Sequence, residues 1–132
     1  MRIIKVFCCL VITSISVQSQ TRIDSIDYTF GGGVTGVQSI TRFNKDIISS
    51  ARGLIIESFA AYKKMKRLNW KAIVKHASSL IDENIEYFHP GNIYYSITIY
   101  YGGTKKNICW RTDDQNIPTS VRSLNSVLKK IQ

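Results

Sequence analysis

The stretch Asp27-Tyr-Thr-Phe-Gly-Gly-Gly-Val-Thr-Gly-Val-Gln-Ser39 decides how this chain folds. It contains Gly31-x-Gly33-x-x-Gly36, the letter pattern of a dinucleotide-binding turn, and the same letters suit the bend of a β-hairpin. The residues after the glycines separate the two readings. A dinucleotide turn leads from a strand into a helix whose first amides meet the pyrophosphate. Here the next residues are Val37-Gln-Ser-Ile-Thr-Arg-Phe43, β-branched and aromatic, alternating with period two. Upstream, Ile26, Tyr28 and Phe30 stand two apart, so both flanks read as strands. The expectation is a hairpin, with Gly31 to Gly33 supplying positive φ at a tight or bulged corner.

Beyond Phe43 the signals weaken and then sharpen. Residues Asp46 to Leu68 are ambiguous: Ile48, Ala51, Ile55, Phe59 and Tyr62 fit a helical stripe, while Leu54-Ile-Ile-Glu-Ser-Phe59 behind Gly53 suits a short buried strand. Our reading takes a third strand over Gly53 to Ala60. Asn69 is a candidate N-cap, and Ile73, Val74, Ala77, Leu80 and Ile81 recur at helical spacing, which predicts a helix from Trp70 to about Asp82. His89-Pro-Gly-Asn92 is turn chemistry. Next, Ile93, Tyr95, Ile97, Ile99 and Tyr101 alternate with Tyr94, Ser96, Thr98 and Tyr100, a strand with one inward and one solvated face. Gly102-Gly103 turns it back into Lys105 to Arg111, with Ile108 and Trp110 inside. Pro118 opens a closing helix on which Val121, Leu124, Leu128 and Ile131 make the apolar stripe. The expected fold is α+β: an antiparallel sheet of four to five strands with two helices packed on one face, in the order β-β-(β)-α-β-β-α.

At the other end, Arg2 and Lys5 precede the apolar run Val6 to Leu10, continuing through Val11-Ile12 to small residues near Val17 and Ser19. That order of charge, apolar run and small residues is the layout of a secretory signal peptide, expected over residues 1–19, with cleavage after Ser16 as the alternative. The run is shorter than the roughly 20 residues a bilayer crossing takes. Cys8 and Cys9 raise the thought of lipid modification, but Val6-Phe7 stand where small residues are needed. Removing 19 of the 132 residues leaves 113, the size of a single α+β domain over residues 20–132. Export to a periplasmic or extracellular location is then expected. Cys109 is the one remaining cysteine, so no internal disulfide is available, and its place in a strand pattern predicts burial.

The full chain carries 18 basic against 9 acidic residues, a formal charge of +9; without Arg2 and Lys5 it becomes 16 against 9, or +7. Lys63, Lys64, Lys66, Arg67, Lys71 and Lys75 form a basic run with Tyr62 and Trp70 interleaved. Cations with rings are a nucleic-acid signature, yet no binding motif surrounds the run, and a solvated face or an anionic glycan or lipid surface fits an exported protein better. His76 and His89 lack metal-ligand spacing, so no metal or cofactor is expected. Cys109 has no local base, and Asp82, Glu83, Glu86, Asp113 and Asp114 read as solvated carboxylates, so no catalytic group is assigned.

Three features in order carry a family likeness: Tyr28-x-x-Gly31-Gly32-Gly33-Val34-Thr35-Gly36, then Pro90-Gly-Asn-Ile-Tyr-Tyr-Ser-Ile-Thr-Ile99, then Ile117-Pro-x-x-Val121-x-x-Leu124-x-x-x-Leu128. The chain resembles the emfourin-type proteins, and also small secreted proteins of Bacteroidetes type with the same layout. The resemblance implies a compact α+β domain that inhibits thermolysin-like zinc metalloproteases. It makes a protein the expected partner, met through Gly31, Gly32, Gly33, Val34, Thr35 and Gly36, because a glycine-rich hairpin tip can present backbone amides to a cleft. The bland alternative leaves those glycines only permitting the bend. A second functional expectation is an envelope module that docks its basic run on an anionic surface.

Overall fold

The structure, a computed structural model, describes residues 21–132, so the expected signal peptide and Cys8 and Cys9 lie outside the described residues. The chain forms one mixed α+β unit. Its strands are β1 (Ile23–Gly32), β2 (Gln38–Phe43), β3 (Ile47–Gly53), β4 (Ala60–Lys64), β5 (Phe88–His89), β6 (Ile93–Tyr101) and β7 (Thr104–Arg111). Helix α1 (Arg67–Asp82) lies between β4 and β5, and α2 (Thr119–Ile131) comes after β7. The seven strands make one sheet in the order β4-β3-β2-β1-β6-β7-β5. All neighbours are antiparallel except β5, which runs parallel to β7.

Alternation sets the inward face. Register places Ile26 beside Phe43 and Ile99, and Phe43 beside Ile48, so a row of apolar side chains crosses four strands. Ile97 and Ile108 add the next row. An irregularity between Ile23 and Ser25 shifts the register, which lets Ile23 join Ile26 in the core despite the odd spacing. Onto this face pack Ile73, Ala77 and Leu80 of α1 and Val121, Leu124, Leu128 and Ile131 of α2, in one apolar cluster. Leu124 and Leu128 are fully buried, each contributing roughly 1.5–3 kcal/mol through apolar burial.

Helix α1 ends through a recognisable device. Asn84 takes φ +49°, and the amides of Asn84 and Ile85 donate to the carbonyls of Ile81 and Leu80. Those two bonds and the left-handed residue form a Schellman motif, which satisfies the last carbonyls and turns the chain toward β5. At the end of α2, the Lys63 ammonium donates to the Ile131 carbonyl at 2.9 Å, a cation placed at the negative end of the helix.

Four expectations are corrected. The third strand is not Gly53 to Ala60: β3 begins at Ile47, and residues 54–59 are a loop. The Asn44 side chain accepts from the amides of Asp46 and Ile47 at 2.9 and 2.8 Å, closing a turn that commits the chain to extended structure at once. Second, α1 starts at Arg67, not Trp70, and Asn69 lies in its first turn with no side-chain cap at the helix start. Met65 is buried and its amide donates to the Asp46 carbonyl, so a tertiary anchor fixes the entry point that a cap would otherwise mark. Third, the sheet has seven strands in place of four to five, because β4 and the two-residue β5 pair along its edges. Fourth, β5 makes the sheet mixed; the Cys109 amide also donates to the Tyr87 carbonyl, drawing the segment against β7 in parallel.

Candidate functional site

The glycine stretch is the corner of an antiparallel hairpin, with Phe30 opposite Ser39 and Ile26 opposite Phe43. The element that follows it is strand β2 and not a helix. Gly32, Gly33 and Gly36 have positive φ, at 96°, 79° and 64°. Gly31, expected to share that torsion and the tip, does neither: it is buried within β1, paired with Tyr94, so the bend starts one residue later. At Gly32 the demand is also steric: a Cβ there would lie 1.9 Å from the Asn92 carbonyl oxygen. The Gly33 amide donates to that same oxygen at 2.7 Å, so the corner is bound to the chain entering β6. Gly36 closes the bend by donating to the Gly33 carbonyl at 3.2 Å. Val34 stands at the tip, fully exposed at 103%, with Thr35 and Gly36 exposed beside it.

Topology brings three other features to the same end of the sheet. Strands β1 and β3 finish there, and β2, β4 and β6 begin there. The loop after Gly53 carries Leu54 and Ile55, 70% and 81% exposed, and a methyl group on Gly36 would touch Leu54 Cδ2 at 3.6 Å. Ile93 opens β6 opposite Gly32, and Phe30 lies two residues before that glycine on β1. Both are partly exposed. Thus Phe30, Val34, Leu54, Ile55 and Ile93 make an apolar rim around the glycine corner. Single exposed apolar residues are ordinary, whereas five at one end of the sheet, with Leu54 next to Gly36 and Ile93 next to Gly33, make this end the candidate contact surface.

The sequence pointed to the corner and to Val34 but not to the rest of the rim. Its reading of Leu54-Ile-Ile as a buried strand had the sign of exposure reversed for Leu54 and Ile55. Gly53 ends β3 at φ +157° and takes the next residues out of the alternation, a torsion that only the folded chain reveals.

On the helix-free face, Arg42 on β2 meets Asp27 on β1 through two bonds, Nε to Oδ1 and Nη2 to Oδ2, each 2.7 Å. The Asp27 side chain is only 8% exposed, so the planar fork holds it where an unpaired carboxylate would be costly. Phe59 lays its ring over the guanidinium at 4.0 Å, and the Tyr100 hydroxyl lies 3.4 Å from Asp27 Oδ2. The hydrogen bond to Asp27 raises the Arg42 pKa above its ordinary value despite partial desolvation. Burial first, then the Asp27 charge, raises the Tyr100 phenol. The cluster pins the loop 54–59 through Phe59 and so positions the exposed Leu54 and Ile55. Sequence reading gave Asp27, Arg42 and Phe59 no joint role, because 15 residues and a loop separate the pair that meets.

The basic run divides. Lys63 and Lys64 lie on the edge strand β4, and Arg67, Lys71 and Lys75 recur every fourth residue along one side of α1. Lys66 joins the two elements. All six are exposed, and the three ion pairs among the described residues, Arg22–Asp24, Arg42–Asp27 and Arg111–Asp113, use none of them. Lys71, Lys75, Arg22 and Trp70 line one groove, together with Asp82.

Cys109 is buried, as its strand pattern predicts, and burial raises its thiol pKa, so it is held as the unreactive thiol. Asp114 accepts from the Tyr87 hydroxyl at 2.7 Å and from the Asn116 amide at 2.8 Å, and these bonds lower its pKa. It is a loop brace. Among the described residues, no three His, Cys, Asp or Glu side chains form a group that could hold a metal ion. No described helix is long and apolar enough to cross a membrane. The sequence matches no protein-family model and no curated protein.

Proposed function

We propose that this is an exported, non-enzymatic binding protein that presents the tip of the glycine corner, Val34, Thr35 and Gly36, to a protein partner, with the buried Gly31 and the Gly32 and Gly33 torsions holding that tip in place. The observation that carries this reading is the set of exposed apolar residues around a fully exposed Val34, drawn from two loops and the adjoining ends of β1 and β6 at one end of the sheet. A rigid corner costs little entropy to dock, since the Asn92 contact already orders it. The likeness to emfourin-type proteins makes a thermolysin-like zinc metalloprotease the first partner to test, with the proposed role of inhibitor. Peptide cleavage by several such proteases should fall when the purified protein is added in micromolar excess. Val34→Asp should restore cleavage without altering the fold. Undiminished cleavage across the panel would remove the inhibitor role, and wild-type binding by Val34→Asp would remove the corner from the interface.

A second reading rests on a separate observation, the six exposed cations of β4, of α1 and at Lys66 between them, which form no ion pair with another described residue. In it, the protein docks on an anionic glycan or lipid surface. Association with anionic vesicles should weaken steeply with added salt, because exposed charges are screened over about 10 Å at 0.1 M. Binding that ignores salt, or no binding, would exclude it.

A further inference from the structure

Where α2 ends against the sheet, a cleft of about 470 Å³ opens between the helix and strands β1, β2 and β6. That is within the size range of small-ligand clefts. Its walls are rings. Phe30 and Tyr95 meet at 5.1 Å between centroids with planes tilted by 45°, Tyr95 stacks on Tyr28 at 5.8 Å, and Phe30 is 44% exposed. Its polar groups are biased toward donation. Lys129 holds its ammonium 4.7 Å from the Tyr95 ring centroid and forms no ion pair with a described residue. The Thr41 oxygen accepts from Gln132 Nε2 at 2.8 Å, which leaves the Thr41 hydroxyl hydrogen to donate elsewhere. Tyr28 also lines the cleft, and its buried hydroxyl has no hydrogen-bond partner among the described residues. Burial holds that phenol in its protonated, donating form.

Among the described residues no acidic side chain lines the cleft, and Lys129 already occupies a ring face, so a cationic guest would find repulsion there. One cation and a few hydroxyls match a monoanion better than a phosphate dianion, which calls for several cations or an amide nest. The exposed ring of Phe30 offers stacking area to a flat apolar body. We propose that this cleft binds a small aromatic carboxylate, with its ring against Phe30 and Tyr95 and its carboxylate on Lys129. The cleft shares Phe30 with the apolar rim, but the inference does not require a partner at the glycine corner.

Titration with indole-3-acetate, followed in proton–nitrogen amide spectra of the whole protein, tests it, with indole and acetate as the half-ligand controls. The expected result is saturable shifts centred on Phe30, Ser39, Tyr95 and Lys129, with half-saturation at least about tenfold below that of either control. Lys129→Met should erase the advantage over indole, Lys129→Arg should keep most of it, and Phe30→Ala should weaken indole-3-acetate and indole together. Val34→Asp should leave the titration unchanged while abolishing any partner binding at the corner. Lys129 and Phe30 are both exposed, and unchanged dispersion of the spectra verifies the fold of each variant. Non-saturating or scattered shifts up to about 10 mM ligand, or a Lys129→Met protein that keeps the full preference for indole-3-acetate, would overturn the proposal.

Discussion

Two glycine corners reverse the chain in this sheet, and they are held differently. Gly102-Gly103 joins β6 to β7 with φ of 52° and 75°, pairing Tyr101 directly with Thr104, and a Cβ on either glycine would meet nothing within 4 Å. That is a local two-residue hairpin turn, complete in its own four residues. The Gly31–Gly36 corner lies at the opposite end of the sheet and closes against Asn92, far away in sequence, through an amide bond and a backbone approach that only glycine permits. The first corner needs glycine for its torsions, the second also for its neighbours. Conformational freedom and close approach are separate uses of the same residue, and their costs on substitution separate them.

The largest effect is expected from Gly32→Ala. The left-handed torsion alone costs about 1–2 kcal/mol for an L residue. The added methyl must also displace the Asn92 backbone, so the loss should reach ~3 kcal/mol or more in denaturant unfolding. Gly103→Ala should cost only the torsional part, about 1–2 kcal/mol, since its Cβ finds open space. Equal losses at the two sites would break the distinction drawn between the corners.

A smaller effect concerns the brace that Asp114 and Tyr87 form beyond the end of β7. The Asp114 pKa is lowered in the fold, first by the Tyr87 hydroxyl and then by the Asn116 amide. Its carboxylate therefore stabilises the folded state above the ordinary aspartate range near ~4, and the contribution is lost as pH falls through the depressed folded value. Tyr87→Phe should be less stable than wild type at neutral pH, with the gap narrowing below that range. A gap that widens on acidification would contradict the assigned sign. The smallest effect is expected for Val34→Asp, whose thermal and denaturant stability should stay within about 0.5 kcal/mol of wild type, because the side chain is fully exposed. A larger loss would mean that the tip contributes to the fold as well as presenting a surface.

Where a residue's neighbours are near in sequence, the reading and the structure agree. The β1–β2 and β6–β7 hairpins, the inward faces of β6 and β7 and the buried stripe of α2 all arise from period and turn chemistry. The middle segment is where agreement ends. Leu54, Ile55 and Phe59 resemble core residues in composition, yet Leu54 and Ile55 face solvent and Phe59 covers Arg42. Nothing in the local sequence distinguishes those fates. The candidate site divides in the same way: the glycines and Val34 stand out as letters, while Ile93, Leu54 and Ile55 join them only through sheet order.

Alternation, helical spacing and glycine or asparagine at corners carry their information locally, because a strand or a helix presents a face as soon as it forms. They were enough to specify an α+β chain, most of its elements and which side of each looks inward. Pairing β4 and β5 onto the sheet edges, seating Asp27 against Arg42, pressing Gly32 onto Asn92 and gathering the exposed apolar rim required the assembled fold. Each depends on contacts between segments far apart in the chain, and such contacts leave no period in the sequence that makes them.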